Sequence, residues 1–268
     1  MKNTSYYLNV GEFQCIVVSD GNISVPKSSS PLSQTENEKT TYEDMDISCL
    51  LIKAGKRNLL IDTGCGDGFQ ESAGKLVTNL ITEGINPEDI DTVIYTHGHE
   101  DHAGGTFDVN GNPVFPNAKY VVIREEWQCW ERKPETPLNE DLFSSARKNL
   151  LPIQEKFDVV ENNHEVIPGI KLILAPGHTP GSIIVQIKSA KDELLCIGDL
   201  IHSRREFSQP DYYSFLDSDP EKALKLRTEG LMKISQSGTL IFACHFPFPG
   251  IGYFTQEKSI LGWRLVID

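Results

Sequence analysis

The chain has 268 residues, 39 % of them hydrophobic, and a formal net charge of −13 at pH 7. That is enough apolar matter for one sizeable core, and two-layered sheets with covering helices reach this length as a unit, so a single domain over 1–268 is expected. The acidity argues against nucleic acid as a partner, because such binding rests on Lys and Arg neutralising phosphates, and no apolar run approaches the ~20 residues of a membrane span.

Met1-Lys2-Asn3-Thr4-Ser5 leads into a strand-like Tyr6–Val10 without the basic and apolar pattern of a signal peptide. Period-2 and β-branched runs predict strands at 12–19, 47–54 and 57–62, the last two joined at Gly55-Lys56. Leu76, Val77, Leu80 and Ile81 form a helical stripe that stops at Gly84. Further strands are expected at 91–95, 118–123, 170–174, 182–188, 193–198 and 239–244. Ile123, Trp127 and Trp130 share one helical face, which suits core packing. Asp219-Pro220 reads as an N-cap with Pro at the first helical position, opening a helix that turns Ala223, Leu224, Leu231 and Ile234 inward. Two segments fit no regular element, 25–46 and 203–218, and long irregular stretches of this kind serve as pocket loops. The cysteines (15, 49, 65, 129, 196 and 244) are scattered with no C-x-x-C pair, as in the reduced core of a cytoplasmic protein.

The densest chemistry lies in Thr96-His97-Gly98-His99-Glu100-Asp101-His102, directly after the strand-like Thr92–Tyr95. Neutral imidazole and ionised carboxylate are the groups that bind zinc-like cations at neutral pH. One extended strand points neighbours to opposite sides, so a tight turn is needed to aim two side chains at one ion and two at another. Three more candidates follow apolar runs. His178 lies in Ala175-Pro176-Gly177-His178-Thr179-Pro180-Gly181, Asp199 ends Leu194–Asp199, and His245 ends Thr239–His245. Loops at the ends of core strands are where a rigid scaffold presents functional groups. Asp62, ending Leu60-Ile61-Asp62, reads equally well as a turn residue or as an acceptor that fixes the tautomer of a ligand imidazole.

The order His97-Gly98-His99-Glu100-Asp101-His102, then His178, Asp199 and His245, resembles the ligand set of the metallo-β-lactamase-fold hydrolases. The likeness spans Leu50 to about Phe254. Gly198-Asp199-Leu200-Ile201-His202 and His245-Phe246-Pro247-Phe248-Pro249-Gly250 are similar to the branch of methyl parathion hydrolases and N-acyl-homoserine-lactone lactonases. The resemblance implies an α/β fold, a four-layer αββα sandwich of two mixed sheets flanked by helices. It implies two divalent metals, Zn2+ first and Mn, Co or Fe as alternatives. His97, His99 and His178 would hold one, Asp101, His102 and His245 the other, with Asp199 bridging. The β-lactamases proper carry Cys where Asp199 stands, and the flavo-diiron branch carries Glu at the position of His99; neither departure occurs here.

That site implies a hydrolase in which a metal-bridging hydroxide attacks a lactone or related small-molecule ester. No G-x-S-x-G elbow offers a serine nucleophile instead. Asp101 and His202 are the expected catalytic side chains. His202 stands where the lactonases carry a substrate-contacting Tyr, and an imidazole there could donate to the reacting oxygen. Phe207, Tyr212, Tyr213 and Phe215, with Phe246 and Phe248, suggest an uncharged, partly hydrophobic substrate. Aryl-ester or organophosphate triester hydrolysis is the alternative; a thioesterase and a non-catalytic binding relative rank below it. A homodimer is compatible with all of these.

Overall fold

The structure is a computed structural model that describes residues 3–26, 42–131, 137–209, 212–214, 216–257 and 260–266, with the side chains of 137–143, 257 and 260 outside the description. Two seven-stranded sheets face each other. The first runs in chain order: β1 (Ser5–Val10), β2 (Phe13–Pro26), β3 (Tyr42–Ala54), β4 (Arg57–Ile61), β5 (Thr92–Ile94), β6 (Lys119–Ile123) and β7 (Phe157–Val160). Pairing is antiparallel through β4 and parallel from β4 to β7. The second contains β8 (Glu165–Ile167), β9 (Ile170–Leu174), β10 (Ile183–Ser189), β11 (Asp192–Cys196), β12 (Leu240–Phe242), β13 (Ile251–Glu257) and β14 (Ile260–Leu265), antiparallel except for β11 against β12. The helices are α1 (Leu76–Thr82), α2 (Glu100–Ala103), α3 (Arg124–Glu131), α4 (Pro137–Leu150), α5 (Arg205–Ser208) and α6 (Pro220–Ser237).

Strand alternation creates the layers. On β2, Cys15 and Val17 join Leu172, Val185 and Leu194 in the core between the sheets. Their neighbours Ile16 and Val18 pack outward with Leu80 of α1, Trp130 of α3 and Leu150 of α4. On the far side, Leu231 of α6 packs with Ile241 and Phe254. Burying both faces of a strand requires apolar side chains of both parities, hence continuous runs such as Cys49–Ile52. The result is the αββα arrangement expected from the resemblance.

Helix ends follow local chemistry. Gly84 takes φ +74° just past α1, and Asp219 accepts from Lys222 N at 3.1 Å at the start of α6. The inner face of α6 differs from the expected one. Leu224 is only half-buried, Leu226 packs on the core instead, and Arg227 is buried among them.

The segment 25–46 is not wholly irregular. Residues 20–26 and 42–46 extend β2 and β3 as a two-stranded arm, pairing Asn22 with Asp46 and Pro26 with Tyr42, whereas 27–41 lie outside the described residues. Asp20-Gly21-Asn22 looks like a turn. Here it is a bulge, with Gly21 at φ +107° and a register shift between Ser19 and Gly21. Ile23 and Ile47 then pack with Cys65 and Ala73. Within 203–218 the chain forms α5, while Phe215 lies outside the described residues. Strands β7, β8, β13 and β14 also carry no period-2 signal strong enough to be expected. Among the described residues no helix is long and apolar enough to cross a membrane.

Candidate metal centre

One edge of the sandwich collects the strand ends. Asp62 follows β4, His97 follows β5, His178 lies in the β9–β10 connection, Asp199 follows β11 and His245 follows β12. The turn after β5 does what a single strand could not. His99 is the N-cap of α2, and the change from extended to helical backbone sends Asp101 and His102 toward a second point.

Two groups of donors result. In the first, His99 Nδ1 lies 3.0 Å from His97 Nε2 and 2.8 Å from His178 Nε2, and the last two are 3.2 Å apart. A proton on one nitrogen can serve only one of these contacts, so mutual hydrogen bonding cannot satisfy the triplet. A tetrahedral ion with Zn–N bonds of ~2.05 Å would separate its ligands by about 3.3 Å. The donor set and its spacing therefore fit a cation. In the second group, His102 Nε2 and His245 Nε2 are 3.3 Å apart. Asp199 serves both groups. Its Oδ2 lies 3.2 Å from His178 Nε2 and 3.7 Å from His97 Nε2, and its Oδ1 lies 3.1 Å from His102 Nε2 and 3.0 Å from His245 Nε2. Asp101 stands further out, its Oδ2 3.6 Å from His245 Nε2 and 3.8 Å from His102 Nε2.

The rear nitrogens of four rings are held by the protein. His97 Nδ1 faces Thr96 Oγ1 at 3.1 Å, His102 Nδ1 faces Asp62 Oδ2 at 2.8 Å, His178 Nδ1 faces Asp217 Oδ1 at 3.3 Å, and His245 Nδ1 faces the Asp46 carbonyl at 3.2 Å. Such partners fix tautomer and ring orientation. Asp62 has the contacts that the second of its two readings requires and the backbone of the first. It adopts φ +62° and also accepts from Thr96 N and Oγ1, both at 2.8 Å.

Electrostatics divide the rings. Burial, reinforced by His102 for His97 and by His178 for His99, holds both imidazoles well below the ordinary value. For His102, His202 and His245 burial pushes the same way, but nearby carboxylates win and raise them. These are Asp199, Asp101 and Asp62 for His102, Glu206 and Asp199 for His202, and Asp199 for His245. Burial works against ionisation of Asp199, yet His102, His245 and His97 keep it well below the carboxylate range. A metal entering the His102–His245 group displaces a proton from each ring, because an imidazole ligates only in its neutral form.

His202 is buried beside the centre. Its Nε2 lies 3.1 Å from Asp199 Oδ2, and its Nδ1 is 2.9 Å from Glu206 Oε1. Glu206 and Asp217 share one countercharge, Arg227 of α6, whose Nε is 3.4 Å from Glu206 Oε2 and whose Nη2 is 3.0 Å from Asp217 Oδ2. None of these three was singled out in the sequence. Cys244, a core residue by sequence, places its Sγ 3.6 Å from Asp199 Oδ1 and joins His102, Asp199 and His245 as a fourth metal-capable donor. Burial pushes its thiol up to about 12. Its adjacency to His245 was the only available signal.

Two clefts meet at the centre, sharing Val25, Met45, His202 and Leu216 in their walls. The one over His99, Asp101, His178 and Asp199 has a volume of about 270 Å³ and adds Ile23 and Phe69. The other reaches Glu206, Tyr212 and Phe246. Val25, Met45 and Leu216 come from the two segments expected to form the pocket; Tyr213 is exposed, and Phe207 packs in the core.

A family model described as the metallo-beta-lactamase superfamily matches residues 42–245. The chain is similar to an N-acyl homoserine lactonase of Bacillus thuringiensis, 27 % identical over 237 residues that cover 81 % of this chain and 84 % of that protein. Among solved structures it is similar to AidC, a dizinc quorum-quenching lactonase in complex with a homoserine product, with TM-score 0.89, 27 % identity and 98 % of each chain covered. It is also similar to the hydrolase AbOPH of the beta lactamase superfamily, with TM-score 0.87, 26 % identity, 100 % of this chain and 99 % of that one covered.

Proposed function

This chain belongs to the metallo-beta-lactamase superfamily, and on that premise we propose that its His/Asp centre holds two divalent ions and hydrolyses a lactone or related ester of a small molecule. The observation that carries this reading is Asp199, one carboxylate oxygen turned to each imidazole group. His97, His99 and His178 would hold one ion, His102 and His245 with Asp101 the other, and Asp199 would serve both. Such ions supply water whose pKa falls from about 15.7 towards about 7, and a Lewis acid for the carbonyl oxygen. The nitrogen and oxygen donors favour zinc, in line with the dizinc description of AidC.

The chain's own residues do the rest. Ile23, Val25, Met45, Phe69 and Leu216 give the acyl side an apolar wall that excludes water. Glu206 holds His202 by its Nδ1, and Nε2, 3.1 Å from Asp199 Oδ2 at the junction of the two clefts, exchanges that contact to hydrogen-bond the reacting oxygen or hand a proton to the leaving one. The lactone is supported by the lactonases to which the chain is similar. An aryl ester or organophosphate triester is the second reading, favoured by Phe69 and Phe246, whose flat faces suit an aryl group. Six buried, free cysteines support a reducing, cytoplasmic setting.

The test is metal analysis with a hydrolysis panel of homoserine lactones, aliphatic lactones, aryl acetates, a phosphotriester and a glutathione thioester. About two equivalents of metal and lactone turnover that chelation abolishes and zinc restores are expected. Turnover confined to the thioester, or a stable protein that takes up no metal, would sink the proposal.

A further inference from the structure

Glu126 of α3 is a buried carboxylate outside the proposed ligand set, and its bonds are unusually directed. Oε1 accepts from Gly98 N at 3.0 Å and from Trp130 Nε1 at 3.1 Å. Oε2 accepts from Gly181 N at 3.0 Å and Thr179 Oγ1 at 2.6 Å. Gly98 separates His97 from His99, and Thr179 follows His178. One carboxylate therefore grips, by one oxygen each, the two loops that supply the first imidazole group.

The fit leaves no slack. A Cβ on Gly98 would sit 2.5 Å from Trp130 Nε1, and one on Gly181 would sit 2.0 Å from Glu126 N. Both loops thus press against α3 at residues without side chains, which lets their backbone N–H groups reach the carboxylate. Such a clamp has a physical purpose. Three imidazole nitrogens within 2.8–3.2 Å of one another repel unless a cation lies between them. Something outside the group must hold the loops at that spacing. The second group is held by other means, since Asp62 and the Asp46 carbonyl orient His102 and His245.

We propose that Glu126 is a positioning residue that sets the His97–His99–His178 group for metal, leaving the His102–His245 group largely independent of it. The inference rests on the dinuclear reading above. It extends that reading by assigning unequal dependence to the two ions.

The experiment is stepwise Co2+ titration of wild type, Glu126→Gln and Leu231→Ala against a competing chelator, followed by absorption and by paramagnetically shifted imidazole N–H resonances. Leu231 is a core residue of α6 that packs with Ile241 and Phe254, in a different cluster from Trp130 of the clamp, and provides a control for general destabilisation. The Gln amide keeps the shape but offers N–H where two of the four donors point. Wild type should bind two equivalents. In Glu126→Gln one of them should weaken about 10–100-fold, with the His97 and His178 signals lost and those of His102 and His245 retained, while Leu231→Ala keeps both. If Glu126→Gln does not fold, Thr179→Val, which removes one donor, should give the same selective loss at smaller amplitude. Two wild-type affinities in the variant, or equal weakening of both ions, would overturn the clamp. A wild-type protein that binds no Co2+ would instead remove the dinuclear reading and the clamp with it.

Discussion

Arg227→Met would remove the guanidinium that α6 buries behind the centre. Its Nε donates to the Leu200 carbonyl at 2.8 Å and faces Glu206, while Nη2 faces Asp217. Methionine keeps much of the stem's volume, so little cavity opens. What remains is two carboxylates in the interior without their shared countercharge. Breaking a buried pair costs about 3–5 kcal/mol. Glu206 keeps His202 and Asp217 keeps His178, which favours the lower half of that range, and the orphaned Leu200 carbonyl adds about 1 kcal/mol. A loss of about 4 kcal/mol at pH 7 is expected, a large part of the 5–15 kcal/mol typical of a domain. With a urea m-value of about 3 kcal/mol/M, the midpoint falls by about 1.3 M. The pH dependence supplies a second check. Burial pushes both carboxyls up, but His202 and Arg227 bring Glu206 below its usual value, and His178 and Arg227 do so for Asp217. A carboxylate lowered in the folded state stabilises above its unfolded pKa, near 4, and that stability is lost as pH falls through the lowered value. The variant lacks the Arg227 share of it. The wild-type and variant curves should therefore converge as pH drops below about 4. A deficit under about 1 kcal/mol at pH 7, or one that does not change with pH, would refute this reasoning.

Two further outcomes follow from the same geometry. Asp62→Asn puts an amide against His102 Nδ1 and the two Thr96 donors, and should weaken metal binding in the His102–His245 group about 10–100-fold in a Co2+ titration, with the fold intact by circular dichroism; unchanged affinity would return Asp62 to the role of turn residue. His202→Phe should lower kcat about 100-fold or more in steady-state assays while the metal content stays at the wild-type level, and loss of metal would show that His202 supports the centre instead of serving the substrate.

Much of this site is legible along the chain because the proposed ligands sit where local pattern changes. Each follows an apolar strand, and the 97–102 turn holds four of them within one short segment. The partners behind them are not legible in that way. Glu126 lies in a helix with two other acids, Glu125 and Glu131, that are less buried, and Arg227, although one turn from Ala223 and Leu231 on the inward face of α6, is a residue type that ordinarily stays in solvent. The Asp46 carbonyl belongs to the backbone, which carries no residue-type signal at all. The arm of β2 and β3 was obscured because Asp20-Gly21-Asn22 carries turn chemistry, and only its bulge lets the strand continue.

Along the chain, alternation and strand-end placement located most of the strands and brought forward His97, His99, Asp101, His102, His178, Asp199 and His245 as candidate donors, since both are properties of neighbours in sequence, while the four-layer architecture followed from the resemblance those motifs carry. Tertiary structure alone decided which oxygen of Asp199 serves which imidazoles, that Asp101 stands outside the tighter group, and that Cys244 stands beside it. It also decided that one arginine neutralises two carboxylates from separate segments. The physical reason is that buried charges take their partners by proximity in three dimensions. Residue type along the chain says which groups can pair, and only the packing of distant segments says which of them do.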